Sequence, residues 1–230
     1  VNMPNVSLED IGTARGTANF SIRGVGVNSS IPSIDPTVGV FVNGVYLGTN
    51  SGTLFDTFDL ESLEVLRGPQ GTLFGRNVTG GAVLVNTKGP SDSLELNVRT
   101  AVETGEIGGL NTYTMAAVGG PITSTVGARA VVYYNDDEGQ LENQFTGNDV
   151  LGIEQTMARG TVTWTPSESS DLKLFYEYQE TDGDGPAAQS HTNGAGQPGI
   201  PVNNDRRGFN LSIDAEGYQK TETNFFVAEF

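Results

Sequence analysis

"LELNVRTAVE", Leu94 to Glu103, decides the fold class. Leu94, Leu96, Val98, Thr100 and Val102 take every second position, with Glu95, Asn97, Arg99 and Glu103 between them. A period of two describes an extended strand with one apolar and one charged face.

The pattern recurs downstream. Val126–Asn135 sets Ala128, Ala130, Val132 and Tyr134 opposite Arg129, and Met157–Thr165 sets Ala158, Gly160, Val162 and Trp164 opposite Arg159. Leu172–Gln179 sets Leu172, Leu174, Tyr176 and Tyr178 opposite Lys173 and Glu177. Asn111–Gly120 and Thr221–Phe230 complete about six long strands. Their connections are short at 105–110, 121–125 and 166–171, and long at 136–153 and 182–220. If the first strand rises, both long connections fall on the same far side, as in outer-membrane barrels with short inner turns and long outer loops.

A soluble sandwich also alternates, so the charges discriminate. A lysine or arginine on a lipid-facing position near the midplane costs about 2 to 4 kcal/mol, and the four clearest strands carry no charge on the apolar face. Tyr134, Tyr176 and Tyr178 are expected at the outer ends and Trp164 at the inner end, as interface girdles.

Composition narrows the function. With 12 Lys plus Arg against 28 Asp plus Glu and a formal charge of -16, nucleic acid is not an expected partner. The basic-free acidic run Asp136–Glu154 is expected to be a solvated loop. The absence of cysteine removes disulfides, thiolate zinc sites and cysteine nucleophiles. No stretch has the length and apolarity of a membrane helix or the form of a signal peptide, which leaves a strand-built span open.

Upstream of "KGPSDS" (Lys88–Ser93) the segments are shorter. Strands are expected at Asn19–Arg23, Val38–Val42 with Tyr46–Leu47, Leu63–Leu66 and Ala82–Thr87, with helical turns at Leu54–Phe58 and Gln70–Phe74. The whole chain has 31 glycines, and in this half Gly68, Gly71, Gly75, Gly80 and Gly81 are expected at tight reversals and close backbone approaches. The domains read as 1–90, a small α+β unit, and 91–230, the strand series.

The motifs "FSIRGVG" (20–26), "DPTVGVFVNGVYLG" (35–48) and "FDLESLEVLRGPQGTLFGRNVTGGAVLVNTK" (58–88) occur in an order that resembles the plug domain of TonB-dependent outer-membrane receptors. Asn43 stands where the family commonly has aspartate, and Val78 where it has a small residue. The resemblance implies an α+β plug followed by antiparallel transmembrane strands opening a 22-stranded barrel, a known plugged-lumen type. It implies active transport of a scarce solute, a ferric siderophore or other iron complex, across the bacterial outer membrane. TonB with its inner-membrane energising complex, the solute and outer-membrane lipid are the implied partners.

The resemblance also points to ligand contacts on outward plug loops: Asn28, Ser29, Ser30 and Asp35 in 27–35, Thr49 and Asn50 in 48–52, and Asn77 and Thr79 in 76–79. It implies that Arg67 and Arg76 latch the plug to wall carboxylates, with Glu95, Glu103 or acids on further strands as partners. The alternative is a β-rich binding or adhesion module without transport.

Other motifs carry less. "GVGVNS" at Gly24 has Ser29 where a dinucleotide loop needs glycine, and "GPQGTLFG" lacks the lysine of a phosphate loop. His191, the one histidine, reads as a surface residue, and "YNDDEG" and "TDGDG" lack the full EF-hand spacing. No metal, cofactor or catalytic residue is assigned, and an enzyme is not expected.

Overall fold

The computed structural model describes residues 3–11, 14–27, 34–48, 58–104, 109–185 and 210–230. The head comprises β1 (Val6–Ile11), β2 (Ala14–Ile22), β3 (Val38–Val42), β4 (Val45–Leu47), β5 (Leu60–Arg67), α1 (Gly71–Phe74) and β6 (Gly81–Thr87). The remainder comprises β7 (Glu95–Thr104), β8 (Leu110–Pro121), β9 (Val126–Asp137), β10 (Leu141–Asn143), β11 (Asp149–Val150), β12 (Ile153–Ser167), β13 (Ser170–Gly183), β14 (Asn210–Leu211) and β15 (Gln219–Glu229).

In the head, a four-stranded sheet runs β4-β3-β6-β5, with β3 and β6 parallel, and β1 and β2 pair as a separate hairpin. Every residue of β3 is buried because both of its faces are covered. Val38, Val40 and Val42 join Phe20, Ile22, Val83 and Val85 in one cluster, while Phe41 packs on the other side with Val78 and Ala82. The Phe41 ring lies 4.9 Å from that of Phe74, so the single turn α1 caps this second cluster.

Gly81 bears out an expected close approach and Gly68 an expected tight reversal. A side chain at Gly81 would run into the Leu66 carbonyl and the Ile22 methyl, and Gly68 holds φ 95°, where L residues are strained. Nothing in the structure requires glycine at Gly71. Asn43, itself left-handed, accepts the Thr87 amide at 3.0 Å and donates to its hydroxyl at 3.1 Å, fixing the end of β6.

The six long strands form one antiparallel sheet in the order β15-β13-β12-β9-β8-β7. Met115, Ala117, Val131, Tyr133, Met157 and Phe175 lie on its buried side together with Arg129, Asn135, Arg159, Thr161, Glu177, Gln179 and Thr181. The apolar side faces out: Leu96 is 69%, Val132 55%, Val162 41% and Leu174 36% exposed. A sandwich would bury these four, so the alternation belongs to a sheet whose apolar face is turned outward and whose polar face meets the head.

Trp164 pairs with Val126 and Leu172 at one end of β12, as expected, and Tyr134 lies opposite Thr156 toward the other. Tyr178 and Tyr176, expected at that outer end, instead lie opposite Ala158 and Gly160 near the middle of the strand.

Three expectations need correction. The strand expected at Asn19–Arg23 starts at Ala14 and pairs with β1, which the sequence did not announce because its alternation is weak. The acidic run is not simply a loop: it includes buried Asp137, whose Oδ1 accepts the Gly139 amide at 3.0 Å, and strands β10 and β11. Finally, β10 pairs in parallel with β14, so the two long outer connections are joined in one small sheet. Of the helical turn expected at Leu54–Phe58, only Phe58 is among the described residues, and it lies in a turn.

Candidate functional site

The head meets the long sheet through Phe225 of β15, which packs on the head core, and through two consecutive residues, Phe58 and Asp59. Asp59 takes φ 60°, a left-handed conformation aspartate tolerates better than most side chains. Its neighbour Phe58 packs against the cluster of Met115, Ala117, Val131, Tyr133 and Met157 on β8, β9 and β12.

Beside that cluster, the Arg129 guanidinium engages the Asp59 carboxylate. Nε donates to Oδ1 at 3.1 Å and to Oδ2 at 2.9 Å, and Nη2 also donates to Oδ1. Nη1 turns the other way and donates to Glu95 Oε2 at 3.1 Å. The Arg129 and Asp59 side chains are 1% and 2% exposed, so the pair is shielded from water while Glu95 remains partly wet. Gly119 lies opposite Arg129 on β8, and a β-carbon there would come within 2.9 Å of the arginine's Cγ and Nη1. The missing side chain leaves the space the guanidinium occupies.

A second charged group lines the same inner face. Arg159 Nε donates to Glu177 Oε2, Glu177 Oε1 accepts from Gln179, and the guanidinium lies over the Phe175 ring at 6.0 Å. The Arg159 Nη1 is buried and has no hydrogen-bond partner among the described residues.

The expected ligand loops are partly visible. Asn77 Nδ2 donates to Asp35 Oδ1 at 3.1 Å and to the Tyr46 hydroxyl at 3.0 Å, bringing two expected residues together. Val78, buried beneath them, anchors the loop, and Gln70 N donates to Val78 O at 3.0 Å. Thr79 is exposed beside them. This loop is therefore preformed, with its polar groups tied by bonds that span three segments. Asn28, Ser29, Ser30, Thr49, Asn50 and His191 lie outside the described residues.

Arg67 and Arg76 are both exposed, and Arg67 Nη1 donates to Pro4 O at a long 3.4 Å. Neither candidate acid on this chain meets them, since Glu95 serves Arg129 and Glu103 accepts from Asn111 at 3.3 Å. The head-to-sheet ion pair that does form has the opposite polarity, with the acid on the head and the arginine on the sheet. Its one signal in the sequence was Arg129, the single charge among the inward positions 127–135 of β9, which needs a carboxylate from elsewhere.

On the outer side, Asn143 is fully buried at the centre of the β11-β10-β14 sheet. It donates to Ile213 O at 3.0 Å and Glu216 Oε1 at 2.9 Å, and its Oδ1 accepts the amides of Ile213 and Phe145. Glu216 also accepts from Thr146 and Asn148; these bonds, that from Thr146 foremost, hold its carboxyl below the usual glutamate range.

Residues 1–82 match the family model described as "TonB-dependent Receptor Plug Domain". These residues are a TonB-dependent receptor plug. The pesticin receptor of Yersinia pestis is 32% identical over 153 residues, covering 65% of this chain and 21% of the relative. The ferric enterobactin receptor PirA of Pseudomonas aeruginosa is 24% identical, over 99% of this chain and 34% of the relative. Among solved structures, the ferric yersiniabactin uptake receptor FyuA of Yersinia pestis superposes with a TM-score of 0.71 at 22% identity, over 98% of this chain and 34% of that one. The chain thus has the plug and wall-strand architecture of these receptors and spans about a fifth to a third of the length of the relatives it matches. In these terms Phe58 and Asp59 belong to the plug, and Arg129 and Glu95 to the wall.

Proposed function

We propose that this chain is the plug, residues 1–90, and the opening wall strands, residues 91–230, of a receptor that carries an iron–siderophore complex across the bacterial outer membrane. Energy comes from TonB and its inner-membrane complex.

One observation carries the reading: the plug packs on the polar face of the wall while the apolar face, uncharged at its centre, is turned outward. A plugged, water-lined interior within a lipid-facing cylinder blocks passive flow, so passage requires the plug to rearrange. The choice of solute follows the relatives, two of which are named for ferric siderophores. The preformed Asp35–Asn77–Tyr46 group, with Thr79 exposed beside it, is the first contact for a captured complex, and Asn28, Ser29, Ser30, Thr49 and Asn50 are further contacts. Exposed Arg67 and Arg76 meet carboxylates on further wall strands. No catalytic step is assigned, in keeping with relatives that are receptors.

The test is uptake of radiolabelled iron bound to a panel of siderophores. Cells expressing the full receptor are compared with and without TonB. TonB-dependent accumulation of at least one complex is expected. Binding without accumulation, or release of the receptor from membranes by carbonate alone, favours a non-transporting module and overturns the proposal.

A further inference from the structure

We propose that Phe58 and Asp59 are the fixed seat of the plug: their contact with the wall stays made while solute passes, and rearrangement is confined to the opposite end of the plug sheet. This rests on the transport reading.

The placement of the contact argues for it first. Leu60 pairs with Thr87 at one end of the β5–β6 ladder, and the Lys88 amide donates to Asp59 O at 3.2 Å just beyond. The seat therefore lies where the chain leaves the plug for the wall, and Glu95, at the start of the first wall strand, is the second acid on Arg129. At this end the plug is already joined covalently to the wall, so little passage could be opened there.

Burial argues second. Separating Asp59 from Arg129 would take the Asp59 carboxylate from its partner in a dry contact, leave Arg129 with the partly wet Glu95 alone, and withdraw Phe58 from an apolar pocket in the same movement. At the other end of the ladder, where Arg67 pairs with Gly81, the link to the N-terminal segment includes the exposed, long Arg67–Pro4 bond, which water replaces readily. Any pull transmitted through the plug reaches the weak end before the seated one.

The local build argues third. Asp59 is held left-handed, and Gly119 leaves the room that Arg129 fills, so backbone on both partners is committed to this contact.

Two measurements on the full-length receptor test the seat. In the first, Asp59→Cys and Arg129→Cys are combined and joined by a short bis-methanethiosulfonate linker, in a segment with no native cysteine. Energised uptake by the linked receptor is expected within about twofold of the same variant unlinked. A fall of more than tenfold, with siderophore binding retained, would overturn the seat. In the second, Asp59→Asn is expected to raise passive entry of a large glycopeptide antibiotic at least fourfold at equal amounts of assembled barrel, with Asp59→Glu restoring most of the barrier. Unchanged entry for Asp59→Asn and for Arg129→Met overturns the proposal. If the unlinked parent takes up none of the complexes, the transport reading fails, and the permeability measurement alone decides the seat.

Discussion

Asn143 shows how much one buried amide can organise. Its side chain satisfies the carbonyl and the amide of Ile213, the amide of Phe145 and the carboxylate of Glu216, holding two connections that are far apart in sequence. Asn143→Ala takes the partner from both Ile213 groups and from the Phe145 amide, while Glu216 keeps Thr146 and Asn148. At about 1 kcal/mol net for each of several bonds, the outer sheet should lose about 2 to 3 kcal/mol. Amides of β10 and β14 in the full receptor are then expected to exchange on the order of 100-fold faster, with those of β9 and β12 unchanged. Equal protection in the variant would show that Val150 and Leu211, the apolar pair of this small sheet, hold it without the amide. This role was not legible beforehand, because an asparagine in an acidic stretch reads as a turn until its distant partners are known. Asp59 was hidden in the same way within "FDLESLEV", where nothing local marks its pairing with a residue on the later strand β9.

At the scale of elements, the long strands were legible because a two-residue period and an uncharged face are local properties. The strand expected at Val126–Asn135 is found at Val126–Asp137, and Val38–Val42 matches without change. β1, β10, β11 and β14 were not legible, since each is short and depends on a partner for its extended form. The same alternation yields a paired prediction. Val132 points outward from β9 and its neighbour Val131 inward against Phe58 and Met157. Val132→Lys places a charge on the lipid face and should cost about 2 to 4 kcal/mol if it lies near the midplane, seen as lower barrel yield and an earlier loss of heat-modifiable mobility in gels. Val131→Ala should leave lipid insertion intact and instead loosen the plug contact, raising antibiotic entry. If Val132→Lys assembles as well as the parent, this face does not meet hydrocarbon.

For the whole molecule, the sheet has two strands with one neighbour each, β7 and β15, and these edges carry exposed backbone groups along their length. The outward face adds Leu94, Leu96, Val98 and Val102 near one edge and Phe226 and Phe230 near the other, all open to solvent. A patch of this size is far more than a soluble monomer usually exposes, and in the longer relatives further strands and lipid can cover it. The plug reaches this chain's wall through the Asp59 seat and through Phe225, which packs on the plug core, but such contacts on one side cannot hide the other. Residues 1–230 made alone are therefore expected to aggregate or to need detergent, and light scattering in plain buffer should show no homogeneous monomer. A monodisperse chain of 24.3 kDa that melts cooperatively without detergent would mean that Leu96, Val132, Val162 and Leu174 are buried in solution, and the lipid-facing assignment would fall.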